Sequence, residues 1–191
     1  MDRYFSAKDT MGMASLEEAS LIKAARSDPK VFNQLYLAHV RPIYRYIFSK
    51  LGEVKQAEDI TAQVFLAALE SLPRYHHDGH FEAWLYGIAR HKLADHYRSR
   101  GPELPIDVAG GELDKKGEPL STIIQVEESQ HLSKLIHQLD EQDQELLRLR
   151  FVAELSFAEI ARLIDSNMET TKKRFYRLLD HLRQQVELDH D

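Results

Sequence analysis

From Asn167 to Arg183 the sequence reads as one helix with two unlike faces. Met168, Thr171, Phe175, Leu178 and Leu182 recur at three- and four-residue steps, the spacing of a stripe turned toward a core. Lys172, Lys173, Tyr176 and Arg177 share the opposite side, with Arg174 at its edge. Long cations around an aromatic ring suit phosphates and base edges in a major groove. A solvated basic face is the plainer reading of the same pattern.

The residues before this helix favour the first reading. Ser156-Phe157-Ala158-Glu159 has the form of a capping box, in which the serine hydroxyl accepts an orphan helix N–H and the glutamate reaches back to the cap. It opens a short helix with Phe157, Ile160, Ala161 and Ile164 on one face. Asp165-Ser166-Asn167 then breaks the pattern, and Asn167 suits the cap of the next helix. A short amphipathic helix, a tight polar turn and a longer helix with a basic outer face make a helix-turn-helix rather than a plain helical hairpin.

No stretch sustains the period-two alternation of a strand, so the expected class is all-α. Helical patterns run roughly over 15–27, 30–50, 54–72 and 80–99, with Pro42 a candidate kink in the second. Residues 1–14 are expected to be disordered. Residues 101–120 carry Gly101, Gly110, Gly111, Gly117, Pro102, Pro105 and Pro119 with little periodicity, the composition of a linker. Beyond it Leu132, Leu135, Ile136 and Leu139 form a stripe, Asp140 can cap a helix, and Leu146 to Phe151 follow. The expected organisation is therefore two helical domains, 15–100 and 121–186, joined by a flexible acidic linker, the second ending in the helix-turn-helix.

Charge narrows the function. The net charge is −6, yet residues 172–183 hold five Lys/Arg against one Asp/Glu, while residues 101–130 hold two against seven. A chain that is acidic overall and basic only locally is repelled by DNA at long range. Phosphate neutralisation supplies most non-specific affinity, so a partner is expected to supply the rest. There are no cysteines, which excludes disulfide scaffolds and thiolate chemistry. No apolar signal core or uncharged run long enough to span a bilayer is present, so a cytoplasmic location without membrane insertion is expected.

The first domain offers two further signals. On 57–66 and beyond, Ile60, Val64, Ala67 and Ala68 suit a buried face, while Asp59, Gln63, Leu66 and Glu70, with Glu58 beside them, form an acidic stripe with an apolar centre. Such a stripe is either solvated or a docking face for a basic helical partner. Tyr75-His76-His77-Asp78-Gly79-His80 is dense in flat polar side chains. A six-residue loop rarely supplies the convergent geometry of a metal site, so stacking on unpaired bases is the better reading. The following helix places Trp84, Ile88, His91 and Asp95 along one stripe and Tyr86, Arg90 and Tyr97 along another, with Arg98 and Arg100 trailing. Trp84 is expected in the core. No phosphate loop, metal pair or nucleophile–base motif is evident, so neither enzymatic activity nor a cofactor is expected.

These pieces, in this order, resemble the extracytoplasmic-function (ECF) group of bacterial RNA polymerase sigma factors. The segments AEDITAQVFLAALESL (57–72), FEAWLYGIARHKLADHYRSR (81–100) and LSFAEIARLIDSNMETTKKRFYRLLDHLR (155–183) carry the match. The resemblance implies core RNA polymerase and promoter DNA as partners. Asp59 and its stripe would meet the clamp helices of the β′ subunit, and further contacts would involve the β subunit. The loop with Tyr75, His76, His77 and His80 would trap a base flipped from the melted downstream element, and Ile88, His91, Asp95 and Arg98 would lie along that element. Lys172, Lys173, Arg174, Tyr176 and Arg177 would read the upstream element, and an anti-sigma factor would be a candidate regulator. His91 stands where the family usually has asparagine, and Glu169 and Thr171 replace a frequent glycine and valine, so the promoter sequence does not carry over.

Reach is a physical check. Twenty flexible residues extend at most about 70 Å, against roughly 68 Å between two sites two DNA turns apart. Simultaneous contact is feasible with a stretched linker. Two rivals remain open: a polymerase-independent helix-turn-helix regulator, and a sigma mimic that titrates an anti-sigma factor.

Overall fold

The computed structural model describes residues 11–76, 81–100 and 131–188, and these are helical and turn structure without a strand. Helix α1 spans Met11–Ala25, so residues 11–14, expected to be disordered, are helical and the helix begins before the periodicity at 15 implies, in spite of Gly12. Helix α2, Pro29–Leu51, has clear ends. The Asp28 carboxylate accepts the Lys30 N–H at 2.9 Å, Pro29 occupies the first turn where its missing N–H costs nothing, and Gly52 at φ 66° closes the helix by donating to the Phe48 carbonyl. The helix runs through Pro42 without interruption. Burial of Phe32 and Leu35 before it and of Ile43, Tyr46 and Ile47 after it holds both sides against the same core.

Helix α3, Val54–Ser71, buries Ala57, Ile60, Thr61, Val64, Phe65 and Ala68, a stripe at three- and four-residue steps. A single 3₁₀ turn, Leu72–Arg74, ends it at Pro73. Helix α4, Phe81–Arg100, buries Phe81, Leu85, Tyr86, Ala89 and Leu93 and packs against α2 and α3.

In the second unit, α5 covers residues 131–138 of the described chain. Leu135, Ile136 and Leu139 pack on the core, but Leu132, expected on the same stripe, is 42% exposed. Its place one turn earlier projects past the end of the apolar surface. Helix α6, Glu141–Leu147, is capped as expected, the Asp140 carboxylate accepting the Asp143 N–H at 2.7 Å. A π-helical turn, Arg148–Val152, widens the chain so that Leu149 turns inward while Phe151 is left exposed.

Helices α7, Phe157–Leu163, and α8, Met168–Leu188, form the helix-turn-helix. The capping box is complete: Glu159 Oε2 accepts the Ser156 N–H at 2.8 Å, and Ser156 Oγ accepts the Glu159 N–H at 3.3 Å. The turn is made by Asp165 in the left-handed region (φ 53°), a conformation aspartate tolerates better than most residues, and by the Ser166 N–H donating to Ala161 O at 2.8 Å. Asn167 then caps α8 through its side-chain oxygen and the Thr170 N–H at 2.8 Å. Thr171, Phe175, Leu178 and Leu182 are buried as the spacing predicts. Met168 is not: it is 47% exposed, because it occupies the first turn, beyond the end of the packed face.

The two units share one continuous apolar core. Helix α2 packs on the π turn and α4 on α7, where Gly87 lets Leu163 approach to within 3.6 Å of the position a Cβ would take. The linker expected at 101–120 lies outside the described residues.

Candidate nucleic-acid and polymerase interfaces

The exposed basic face of α8 follows from how firmly its other side is held. Phe175 meets Phe157 edge-on at 5.2 Å and Phe151 at 5.6 Å between ring centroids, and Arg150 lies 5.0 Å over the Phe157 ring. That anchorage leaves Lys172, Lys173, Tyr176 and Arg177 exposed together, around a shallow groove with Glu169, Thr170 and Asp180. Among the described residues Lys172, Lys173 and Arg177 form no ion pair, so their charges are available to an external anion. Arg174 stands apart from them. Its guanidinium pairs with Asp143 at 2.5 Å and Asp140 at 3.2 Å and donates to Gln142 Oε1 at 2.8 Å, tying α8 to the start of α6. It holds α8 in place, and the acidic cap of α6 is the reason it turns inward.

On the first unit the expected base-capture loop is only partly among the described residues. His76 is exposed, and His77 and His80 lie outside them. Tyr75 differs from expectation: it is 8% exposed and packs on Trp84 (4.6 Å) and Phe81 (5.6 Å), so it is a core ring rather than a free stacking platform. Its neighbours in sequence are polar, which hid a core aromatic at the exit of the 3₁₀ turn. Trp84 joins that cluster, in keeping with its expected core role.

Along α4, Ile88 is half-buried, and His91 is the outermost member of its stripe with its side chain 71% exposed. His91 Nε2 lies 3.5 Å from Asp95, which also pairs with Arg98, so the three expected contact residues form a small polar chain. The second stripe is not a nucleic-acid surface as a whole. Tyr86 is fully buried and meets Tyr46 edge-on at 5.2 Å, and burial pushes its phenol pKa well up. Tyr97 is exposed and donates to the Lys50 carbonyl at 3.1 Å. Arg90 is directed at the second unit.

Helix α3 places Glu58, Asp59, Gln63, Leu66 and Glu70 on its outer side, all exposed, while Ile60, Val64 and Ala68 are buried and Ala67 half-buried. Acidic Glu58, Asp59 and Glu70 flank uncharged Gln63 and Leu66 along this exposed side, and nearby Tyr36 meets Phe65 edge-on at 4.9 Å.

One cluster escaped the sequence reading. Glu145 of α6 is buried between the units; its carboxylate accepts the Tyr46 hydroxyl at 2.6 Å and the Lys50 ammonium at 3.0 Å, and lies 3.4 Å from Arg90 Nε. Arg90 also donates to the Leu163 carbonyl at the end of α7. The phenol of Tyr46 is pushed well up by burial first and by the adjoining carboxylate second. A signal existed: Glu145 is one turn before Leu149, so an acid stands on the buried stripe of its own helix. A cleft of about 900 Å³ lies beside this cluster, with Lys50, Arg90, His91 and Tyr97 on one wall and Glu141, Ser166 and Thr170 on the other.

Among the described residues no group of His, Asp and Glu is arranged to hold a metal ion, and no helix is long and apolar enough to cross a membrane. A helical unit with an exposed acidic stripe, followed by a helix-turn-helix unit with an exposed basic face, defines a two-domain, DNA-binding transcription factor. Residues 35–103 match the Sigma-70 region 2 family and residues 129–182 the Sigma-70 region 4 family. The ECF RNA polymerase sigma factor ShbA of Streptomyces griseus is 31% identical over 173 residues, covering 84% of this chain and 90% of its own length. BldN of Streptomyces coelicolor, also an ECF sigma factor, is 32% identical over 160 residues, or 81% of this chain, which spans 60% of that relative's length. In fold, the sigma factor RpoE of Bartonella quintana, solved with the anti-sigma factor NepR, matches with a TM-score of 0.65 at 20% identity, covering 84% of this chain and 99% of that one. The chain belongs to the ECF RNA polymerase sigma factors.

Proposed function

We propose that this chain recruits core RNA polymerase to promoters in the cytoplasm, docking through α3 and reading the upstream element with α8, without enzymatic turnover of its own. The observation that carries this reading is the exposed set Lys172, Lys173, Tyr176 and Arg177, whose cations form no ion pair among the described residues, on a helix whose opposite face is packed. Lysine and arginine there supply phosphate contacts and bidentate donors to guanine, and the tyrosine ring adds apolar contact in the groove. Asp59 and its stripe offer an acidic surface to the β′ clamp helices, and the second unit offers contacts to the β subunit. His76, with His77 and His80, would take a flipped base of the downstream element, while His91, Asp95 and Arg98 lie along its duplex edge. An anti-sigma factor is a fitting regulator, since RpoE was solved bound to one.

Transcription in vitro with purified core polymerase on a promoter library tests the whole reading: start sites should appear only when this chain is added, sharing an upstream and a downstream motif. Binding of duplex DNA with unchanged specificity in the absence of polymerase would favour an independent regulator instead. Docking has its own test. Asp59→Arg should lower core affinity by several kcal/mol, because like charge at an interface is costly. Unchanged affinity in a titration, with normal circular dichroism, would reassign the docking face.

A further inference from the structure

Glu145 is the one charged residue among the buried described side chains, and the groups that satisfy it all come from the other unit. Tyr46 and Lys50 lie one turn apart on α2, and Arg90 lies opposite on α4. Together they present a hydroxyl, an ammonium and a guanidinium to two oxygens that share one negative charge. A phosphodiester offers the same two oxygens and the same charge. The site also borders the proposed promoter surface: His91 follows Arg90 on α4 and lines the same cleft as Lys50, Arg90 and Tyr97.

We propose that Tyr46, Lys50 and Arg90 form a binding site for a nucleic-acid backbone phosphate, which Glu145 fills from within while the two units are closed. This rests on the sigma reading for the identity of the polyanion. Closed packing of α4 on α7 is incompatible with the two units contacting elements roughly 68 Å apart, so the units part on a promoter. Parting withdraws Glu145 and leaves two cations on adjacent helices with no described counter-charge except Glu141, which departs with α6; Glu141 lies 3.8 Å from Lys50 in the closed form. Promoter phosphate restores the lost charge. The same exchange makes Glu145 a brake, since any DNA that enters must displace it, and the apparent affinity is reduced by the fraction of chains that stay closed.

The chain has no cysteine, so spin labels on Asn33→Cys and Gln184→Cys, both at exposed positions, report the separation of the units directly in the intact chain. Glu145→Gln should shift the distance distribution to longer values and raise affinity for a fluorescent 20-base-pair duplex at low salt by on the order of three- to tenfold. The double variant Lys50→Ala/Arg90→Ala should open as well but gain no affinity. Its slope of log K against log salt should be shallower than that of Glu145→Gln by about 1, for the one phosphate no longer neutralised. An unchanged distance distribution in Glu145→Gln overturns the brake. Equal affinity and slope in the two variants overturn the phosphate site. Both measurements use the free chain, so their failure leaves polymerase-dependent transcription untouched, whereas failure of the sigma reading abolishes it.

Discussion

Helices α8 and α4 both carry cations beside aromatic residues, yet they hold those cations in opposite ways. On α8, Lys172, Lys173 and Arg177 point away from a packed aromatic floor and meet no carboxylate among the described residues. On α4, His91 and Arg98 share Asp95, and Arg90 is held by Glu145 of the other unit. Free charge suits a surface that must meet duplex DNA as it is, because phosphate contacts form without first breaking an internal pair. Charge already paired suits a surface used later, after the units separate and the duplex melts. Composition alone makes the two helices look alike; the difference lies in who neutralises whom.

The largest effect should come from removing the floor under α8. Phe175 is buried against Phe151, Phe157 and Tyr176, so Phe175→Ala should destabilise the second unit by about 3–5 kcal/mol through lost contacts and an unfilled cavity. Thermal unfolding should show an early transition, and upstream-element binding should be lost while core polymerase still binds through α3. If DNA reading survives with normal specificity, α8 does not depend on this packing and the contrast with α4 loses its basis.

A smaller effect tests the face itself. Lys172→Ala and Arg177→Ala should each cost about 1–3 kcal/mol on a promoter with the upstream element if they touch base edges, and less if they touch only phosphate. Arg174→Ala should behave differently, because its guanidinium is committed to Asp140 and Asp143. Its loss should lower the stability of the second unit without changing which promoters are chosen. Quantitative footprinting on matched promoters, with and without the element, separates the three variants. Equal losses on every template for Lys172 and Arg177 would reduce α8 to a non-specific electrostatic surface.

These contrasts mark where sequence reading succeeds and where it stops. Local rules carried the helix-turn-helix: the Ser156–Glu159 box, the break at Asp165 and the Asn167 cap depend on residues within four positions of one another. The buried stripe of α8 was legible for the same reason, except at Met168, where a first-turn position outruns the surface it would pack on. Long-range pairing was not legible. Arg174 has the same chemistry as Arg177, and only the arrival of α6, more than thirty residues earlier in the chain, turns one inward and leaves the other bare. Tyr75 reads as an exposed ring because aromatics serve cores and nucleic acids alike, and the choice depends on what packs against it. Glu145 is the sharpest case. An acid in a buried stripe looks like an interruption until the cations of another unit are brought to it.

The smallest expected effect probes α4 directly. Asp95 pairs with Arg98 and lies 3.5 Å from the His91 ring at a half-exposed site, and pairs of this kind are worth about 0.2–1 kcal/mol. Asp95→Asn releases both neighbours, keeps the size of the side chain and leaves the buried face of α4 untouched. If Asp95 only restrains its neighbours, holoenzyme binding to a pre-melted downstream fork should rise by roughly 1.5- to 5-fold, as expected for freeing a pair of that strength. The gain should shrink as salt is raised, since exposed charges separated from phosphate are screened within about 10 Å at 0.1 M. If instead Asp95 accepts a base hydrogen bond, as its resemblance to the family's downstream-reading stripe implies, the same substitution should weaken binding on the preferred fork and relax the choice of base at one position. Anisotropy titrations on four forks differing at that position distinguish the two. A uniform rise assigns Asp95 to charge restraint and extends the contrast with α8, whereas a base-dependent fall makes α4 a reader in its own right.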